Sequence, residues 1–149
     1  MRVWSACWLR TVAVGLGLWF GLPAHAEDSL NGRWQTISDV SGKPAGIVEI
    51  YEQAGTFRGR VVASYSSERG AVCLACPEPR KGQPIVGLEI LTGLRRNGDV
   101  FSGGEILDPE NGHVYRAELR LNADGQKLDV RGYLGLPLFG RTQTWLRLP

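Results

Sequence analysis

The chain is poor in the side chains that most catalytic and metal chemistry needs. It has 2 histidines, 3 cysteines and 1 methionine in 149 residues. Its charges nearly cancel, with 17 lysines and arginines against 15 aspartates and glutamates. Even these few groups are concentrated in a segment with the layout of a leader. Arg2 and Arg10 form a basic start, and Thr11 to Leu22 is an apolar run too short for an ordinary membrane-crossing helix. Pro23-Ala24-His25-Ala26 then supplies an A-x-A cleavage signal before Glu27. This order predicts a signal peptide over residues 1–26, cleaved after Ala26, and one domain over 27–149 that is periplasmic or secreted. A retained short anchor is the alternative. Small residues at both recognition positions disfavour it, and Cys7 precedes the apolar run, badly placed for lipidation.

Removing the leader removes two arginines, Cys7 and His25, so the remaining basic residues equal the 15 acids. A neutral chain with no basic run interleaved with aromatics excludes nucleic acid as an expected partner, gives little support to an electrostatic hold on anionic membranes, and implies no stable membrane insertion after cleavage. His113 is then the single histidine, and with Cys73 and Cys76 it cannot complete a four-ligand zinc site. No metal or other cofactor is expected. A chain of this length still makes one domain with a real core.

Turns and alternation are what the chain does have. Ser41-Gly42-Lys43, Gln53-Ala54-Gly55, Asn97-Gly98, Asn111-Gly112 and Asp124-Gly125 recur at intervals typical of antiparallel sheet. The Asn-Gly and Asp-Gly pairs predict type I′ hairpins. Between turns, residues alternate with period two: Tyr115, Ala117, Leu119 and Leu121 against Arg116, Glu118 and Arg120. Strands are predicted over 33–38, 45–52, 56–65, 85–94, 99–107, 113–122, 127–134 and 139–148. The spacing suits a sandwich or a barrel. Glycines inside strands, at 59, 93, 103, 104 and 132, favour a curled sheet and tip the choice to an up-and-down barrel of about eight strands. One long proline-rich loop, 66–84, interrupts the pattern and carries both cysteines; loops of that length are usually functional or mobile.

Several groupings carry chemistry on paper. Cys73-Leu-Ala-Cys76 has redox C-x-x-C spacing, but it lies in a loop of an all-β chain and not at a helix start, so a structural disulfide is favoured. Asp108-Pro-Glu110 pairs two carboxylates, yet Asp-Pro before Asn-Gly is ordinary turn chemistry. His113 has no nucleophile in a recognisable setting, and no enzyme is expected. Arg131, Tyr133 and Arg141 are candidate ligand-binding residues: pointed inward, they would line a polar mouth able to hold an anionic head group. Their parity opposes Leu128, Val130 and Leu134 on one strand and Leu146 and Leu148 on the other. An outward direction is therefore the favoured reading. Trp34, Trp145 and Arg147 are candidates for barrel closure, with an indole from the first strand and a cation from the last stacked across the bottom.

Gly32-x-Trp34 in the first strand with an arginine in the last is similar to the calycin pattern of lipocalins. Further motifs resemble one family throughout: Gly59-Arg-Val61, Cys73-x-x-Cys76, Pro84 to Leu91, Gly104-Glu-Ile-Leu-Asp-Pro109, Asn111-Gly112 with Tyr115, and Arg131-Gly-Tyr-Leu-Gly135 through Gly140-Arg-Thr-Gln-Thr-Trp145. They resemble the small exported bacterial proteins of the DUF2147 family. The resemblance implies a calycin-like barrel and carries over no activity and no catalytic residue. The expected function is binding of a small, largely apolar ligand in the cell envelope. The alternatives are an envelope interaction protein with a filled barrel and a thiol redox protein.

Overall fold

The computed structural model describes residues 29–65 and 67–149, and the expected signal peptide lies outside them. Eight strands follow in order: β1 (Gly32–Ile37), β2 (Pro44–Gln53), β3 (Thr56–Ser64), β4 (Glu89–Asn97), β5 (Val100–Leu107), β6 (Val114–Leu121), β7 (Lys127–Tyr133) and β8 (Arg141–Arg147). Each pairs antiparallel with the next. β8 returns to β1, with Trp34 opposite Arg147 and Gln35 opposite Leu146, so the sheet closes into an up-and-down barrel. Closure removes the unpaired edges that an open sheet would offer to other chains.

Alternation decides which side chains enter. On β2, Val48 and Ile50 are buried while Glu49 and Tyr51 lie on the outer wall. There Tyr51 donates to Glu89 at 3.0 Å, Arg58 to Glu89 at 2.9 Å and Arg60 to Glu49 at 2.7 Å. Partial burial first, and the Glu89 carboxylate second, raise the Tyr51 phenol above its usual range. This outer network covers the sheet with polar groups and stands apart from the interior.

Two strands begin later than their sequence suggests. β4 starts at Glu89 because residues 85–88 make a bulge against β3, where Val61 N donates to Leu88 O and Gly87 N to Val61 O. β8 starts at Arg141 because Pro137–Phe139 wind into a 3₁₀ turn. The Asn-Gly and Asp-Gly turns also differ from expectation. Only Ala54-Gly55 places both residues at positive φ, 51° and 73°. At the other three pairs the glycine alone does so. The reason is visible at two of them: Asp124 Oδ1 accepts from Gln126 N and Asn111 Oδ1 from His113 N, so the side chain ties the turn while its own backbone stays in the ordinary region.

Residues 29–31, the carboxyl end and the β2–β3, β4–β5 and β6–β7 turns gather at one end of the barrel, and the four longer links gather at the other. The first end is solid. Trp34, Ile50, Leu94, Phe101, Leu119 and Leu128 are at most 2 % exposed. Phe57 and Phe101 meet edge to face, with ring centroids 5.0 Å apart.

Candidate functional site

The floor of the interior is Trp34, held from both sides. Its indole Nε1 donates to Leu30 O at 2.9 Å. The Arg147 guanidinium lies 4.3 Å from the ring centroid. That guanidinium donates to Gly125 O, Asn31 O and Ser29 O at 2.6, 2.9 and 2.8 Å, tying the amino-terminal segment and the β6–β7 turn across the bottom. A cation over an indole contributes about 0.5–2 kcal/mol, more when desolvated. The structure thus brings Trp34 and Arg147 together. Trp145 lies further up, opposite Leu128 on β7 and 2 % exposed.

Above this floor the barrel is hollow. A cavity of about 670 Å³ opens toward the long links. Its walls are apolar: Val48, Val61, Ile90, Ile106, Val130 and Trp145. Its rim is polar, with Asp39 and Ser38 from the β1–β2 link, Ser64 and Ser67 beside β3, Asp108 to Asn111 from the β5–β6 link, and Arg141 and Gln143 from β8.

One connected network runs from rim to wall. Arg141 forms an ion pair with Asp39. Asp39 Oδ2 also accepts from Gln143 Nε2 at 2.6 Å, and Gln143 Oε1 accepts from Trp145 Nε1 at 3.1 Å. The buried indole N–H is therefore satisfied through a glutamine that reaches the mouth. Asp39 carried no motif in the sequence and reads there as part of a turn. Strand parity would not have found it: Asp39 lies beyond the end of β1, in the β1–β2 link, where alternation no longer sets direction.

The candidate ligand-binding residues separate. Arg141 stands opposite Gly132, with the inward parity of Trp145, and lines the cavity. Arg131 and Tyr133 do not line it; Arg131 turns out to bond the β7–β8 link at Pro137 O and Leu138 O and its β8 neighbour at Thr142 Oγ1. An anionic head group held jointly by the two arginines is therefore not built. Their outward direction holds on β7 and fails on β8. The inward face of β8 is set by Leu128 pairing with Trp145, while Leu146 is the residue turned outside, at 37 % exposed. Leu134, grouped by parity with the core, lies beyond β7 and is exposed.

The long loop between β3 and β4 folds over part of the mouth. Cys73 and Cys76 form a disulfide and are 1 % and 2 % exposed. Cys73 N donates to Gln83 O and Gly82 N to Cys73 O, so the loop makes a short ladder of its own. It rests on the β5–β6 link: Cys73 Sγ lies 3.4 Å from Pro109 O. Gly112, at φ +75°, leaves room where a Cβ would overlap the Ala75 carbonyl. Ala71, Val72 and Ile85 from this loop join the cavity lining. Asp108 is occupied by its own turn, accepting from Glu110 N at 2.9 Å and Asn111 Nδ2 at 2.8 Å. His113 Nδ1 meets the Tyr115 hydroxyl at 3.3 Å. Among the described residues no group of three or more His, Cys, Asp or Glu is placed to hold a metal ion.

A closed eight-stranded barrel, plugged by a first-strand tryptophan under a last-strand arginine and hollow at the other end, is a barrel of the lipocalin type. Comparison with a solved structure agrees: "Protein HP1028 from the human pathogen Helicobacter pylori belongs to the lipocalin family" superposes with a TM-score of 0.72 at 23 % identity, over 81 % of this chain and 84 % of that one. Residues 32–147 match the family described as "Uncharacterized protein conserved in bacteria (DUF2147)", and the chain belongs to that family. No curated protein sequence matches it.

Proposed function

We propose that the protein is an exported carrier of the cell envelope, which holds a small, largely apolar molecule in the hollow half of its barrel and acts by binding and not by catalysis. The observation that carries this reading is the cavity of about 670 Å³, apolar in its walls and polar only at its rim. Pockets that enclose small ligands span roughly 300–1,000 Å³ and share this layout. The ligand is an amphiphile: its apolar part lies on Val130, Ile106 and Trp145, and its polar end meets Asp39, Arg141 and the rim serines. A barrel serving only as an interaction scaffold gains nothing from a hollow core, since empty volume costs dispersion contacts. The redox reading is disfavoured because both sulfurs are buried and thiol exchange needs access.

The test is native mass spectrometry of protein purified gently from a periplasmic extract. A co-purifying small molecule is expected, and it is expected to disappear in Val130→Trp, whose indole occupies the cavity. Bare protein in every preparation, together with no binding of any apolar fluorescent probe, would sink the proposal.

A further inference from the structure

Among the described residues, nearly all the large exposed apolar side chains lie at the open end of the barrel. Val40 is 98 % exposed and Leu74 73 %, each on a link at the mouth. Leu134, Leu136, Leu138 and Phe139 are 66, 64, 80 and 78 % exposed, and all four lie between β7 and β8. A concentration of this kind marks an interaction site more often than a chance surface.

The link is built to hold these side chains out. Pro137–Phe139 form a 3₁₀ turn, and Arg131 fastens it by donating to Pro137 O at 2.7 Å, Leu138 O at 3.2 Å and Thr142 Oγ1 at 2.8 Å. A prefixed loop loses little conformational freedom when it docks. The surroundings say what it docks on. From Val130 to Pro149 there is no acidic residue, and Arg131 and Tyr133 stand at the base of the link, while the next cation, Arg141, is paired with Asp39 of the β1–β2 link. Apolar tips above the Arg131 guanidinium and the Tyr133 phenol match the order of acyl chains beneath phosphate head groups. The same end holds the cavity mouth. The neutral chain as a whole does not argue against this, because side-chain insertion supplies most of the attraction.

We propose that the β7–β8 link, assisted by Val40, docks on the surface of a phospholipid bilayer and sets the barrel mouth against it. The inference is independent of whether the cavity is occupied. Residues 27–149 contain all eight strands and the whole core, so they are the chain to test. Sedimentation with vesicles of phosphatidylcholine alone, and of phosphatidylcholine with phosphatidylglycerol, is expected to show binding to both and tighter binding to the second. Replacing Leu138→Ser and Phe139→Ser together should lower the partition coefficient by about tenfold or more, since two large apolar side chains leave the acyl region. Both are exposed, so the melting temperature should stay put. A single Phe139→Trp variant gives a second reading: its emission should shift blue and be quenched by brominated lipid. Binding that the double variant retains, no binding by the unaltered chain, or no quenching each overturns the proposal. So does a chain that ignores vesicles yet dimerises through this link in ultracentrifugation, which would assign the surface to a second copy.

Discussion

The two ends of the barrel share the same strands and use them differently. At the closed end every inward position is filled, and Arg147 bonds three carbonyls beneath the Trp34 ring. At the open end Val130, Ile106 and Trp145 line a cavity, and the polar groups form a rim network in place of a plug. Stability is therefore concentrated at one end and adaptability at the other, as expected when binding regions are drawn from the less tightly packed parts of a fold. Lid and floor also differ in kind. The floor is fixed by side chains of regular strands, whereas the lid is a loop held by its own disulfide and by a close approach at Gly112.

Substitutions that remove apolar volume test this contrast most strongly. Trp34→Ala should cost about 3–5 kcal/mol, because a large buried ring leaves a cavity in packed surroundings. Val130→Ala, on the cavity wall, should cost less, about 1–2 kcal/mol, because only two methyl groups leave and the cavity already borders the site. Urea unfolding of both variants measures the losses; a loss per methyl-sized volume removed that is the same at both positions would mean that the two ends are packed alike. Gly112→Ala should have a smaller effect, about 1–2 kcal/mol from the strained φ and the clash with Ala75, concentrated in the lid. Hydrogen exchange should then quicken over residues 71–85 and leave β1 and β8 unchanged. If β1 and β8 loosened too, the lid would be coupled to the floor.

The smallest expected effect concerns pH at the closed end. Asp124 has its carboxyl held below the usual range, first by the backbone N–H of Gln126 and then by the Asn122 side chain. A lowered folded-state pKa stabilises the fold above the ordinary carboxylate pKa, and that contribution is lost as pH falls through the lowered value. Asp124→Asn should therefore be slightly less stable than the unaltered chain at neutral pH, with the gap closing in strong acid. Thermal melts across that range measure it, and a gap that widens in acid would reverse the sign.

Much of the architecture was legible before any coordinates. Alternation around Leu119 and Leu128 marked strands, turn pairs marked their ends, and Gly32-x-Trp34 with Arg147 pointed to closure. Strand ends were less legible at Pro137 and Gly87, where a 3₁₀ turn and a bulge replaced extended chain. The direction of β8 was hidden because it has apolar residues on both faces, Trp145 on one and Leu146 on the other. Asp39 was hidden because its partners, Arg141 and Gln143, lie about a hundred residues away in the chain.

The local sequence determined the secondary structure and the strand order, because period-two patterning and turn chemistry act between near neighbours. Only the closed tertiary structure decided that Arg141 faces the cavity while Arg131 faces out, that Asp39 joins the rim, and that a cavity opens at one end of the barrel. Those outcomes depend on register across the β1–β8 seam and on the sum of side-chain volumes around a ring of strands. Neither quantity belongs to any one segment of the chain.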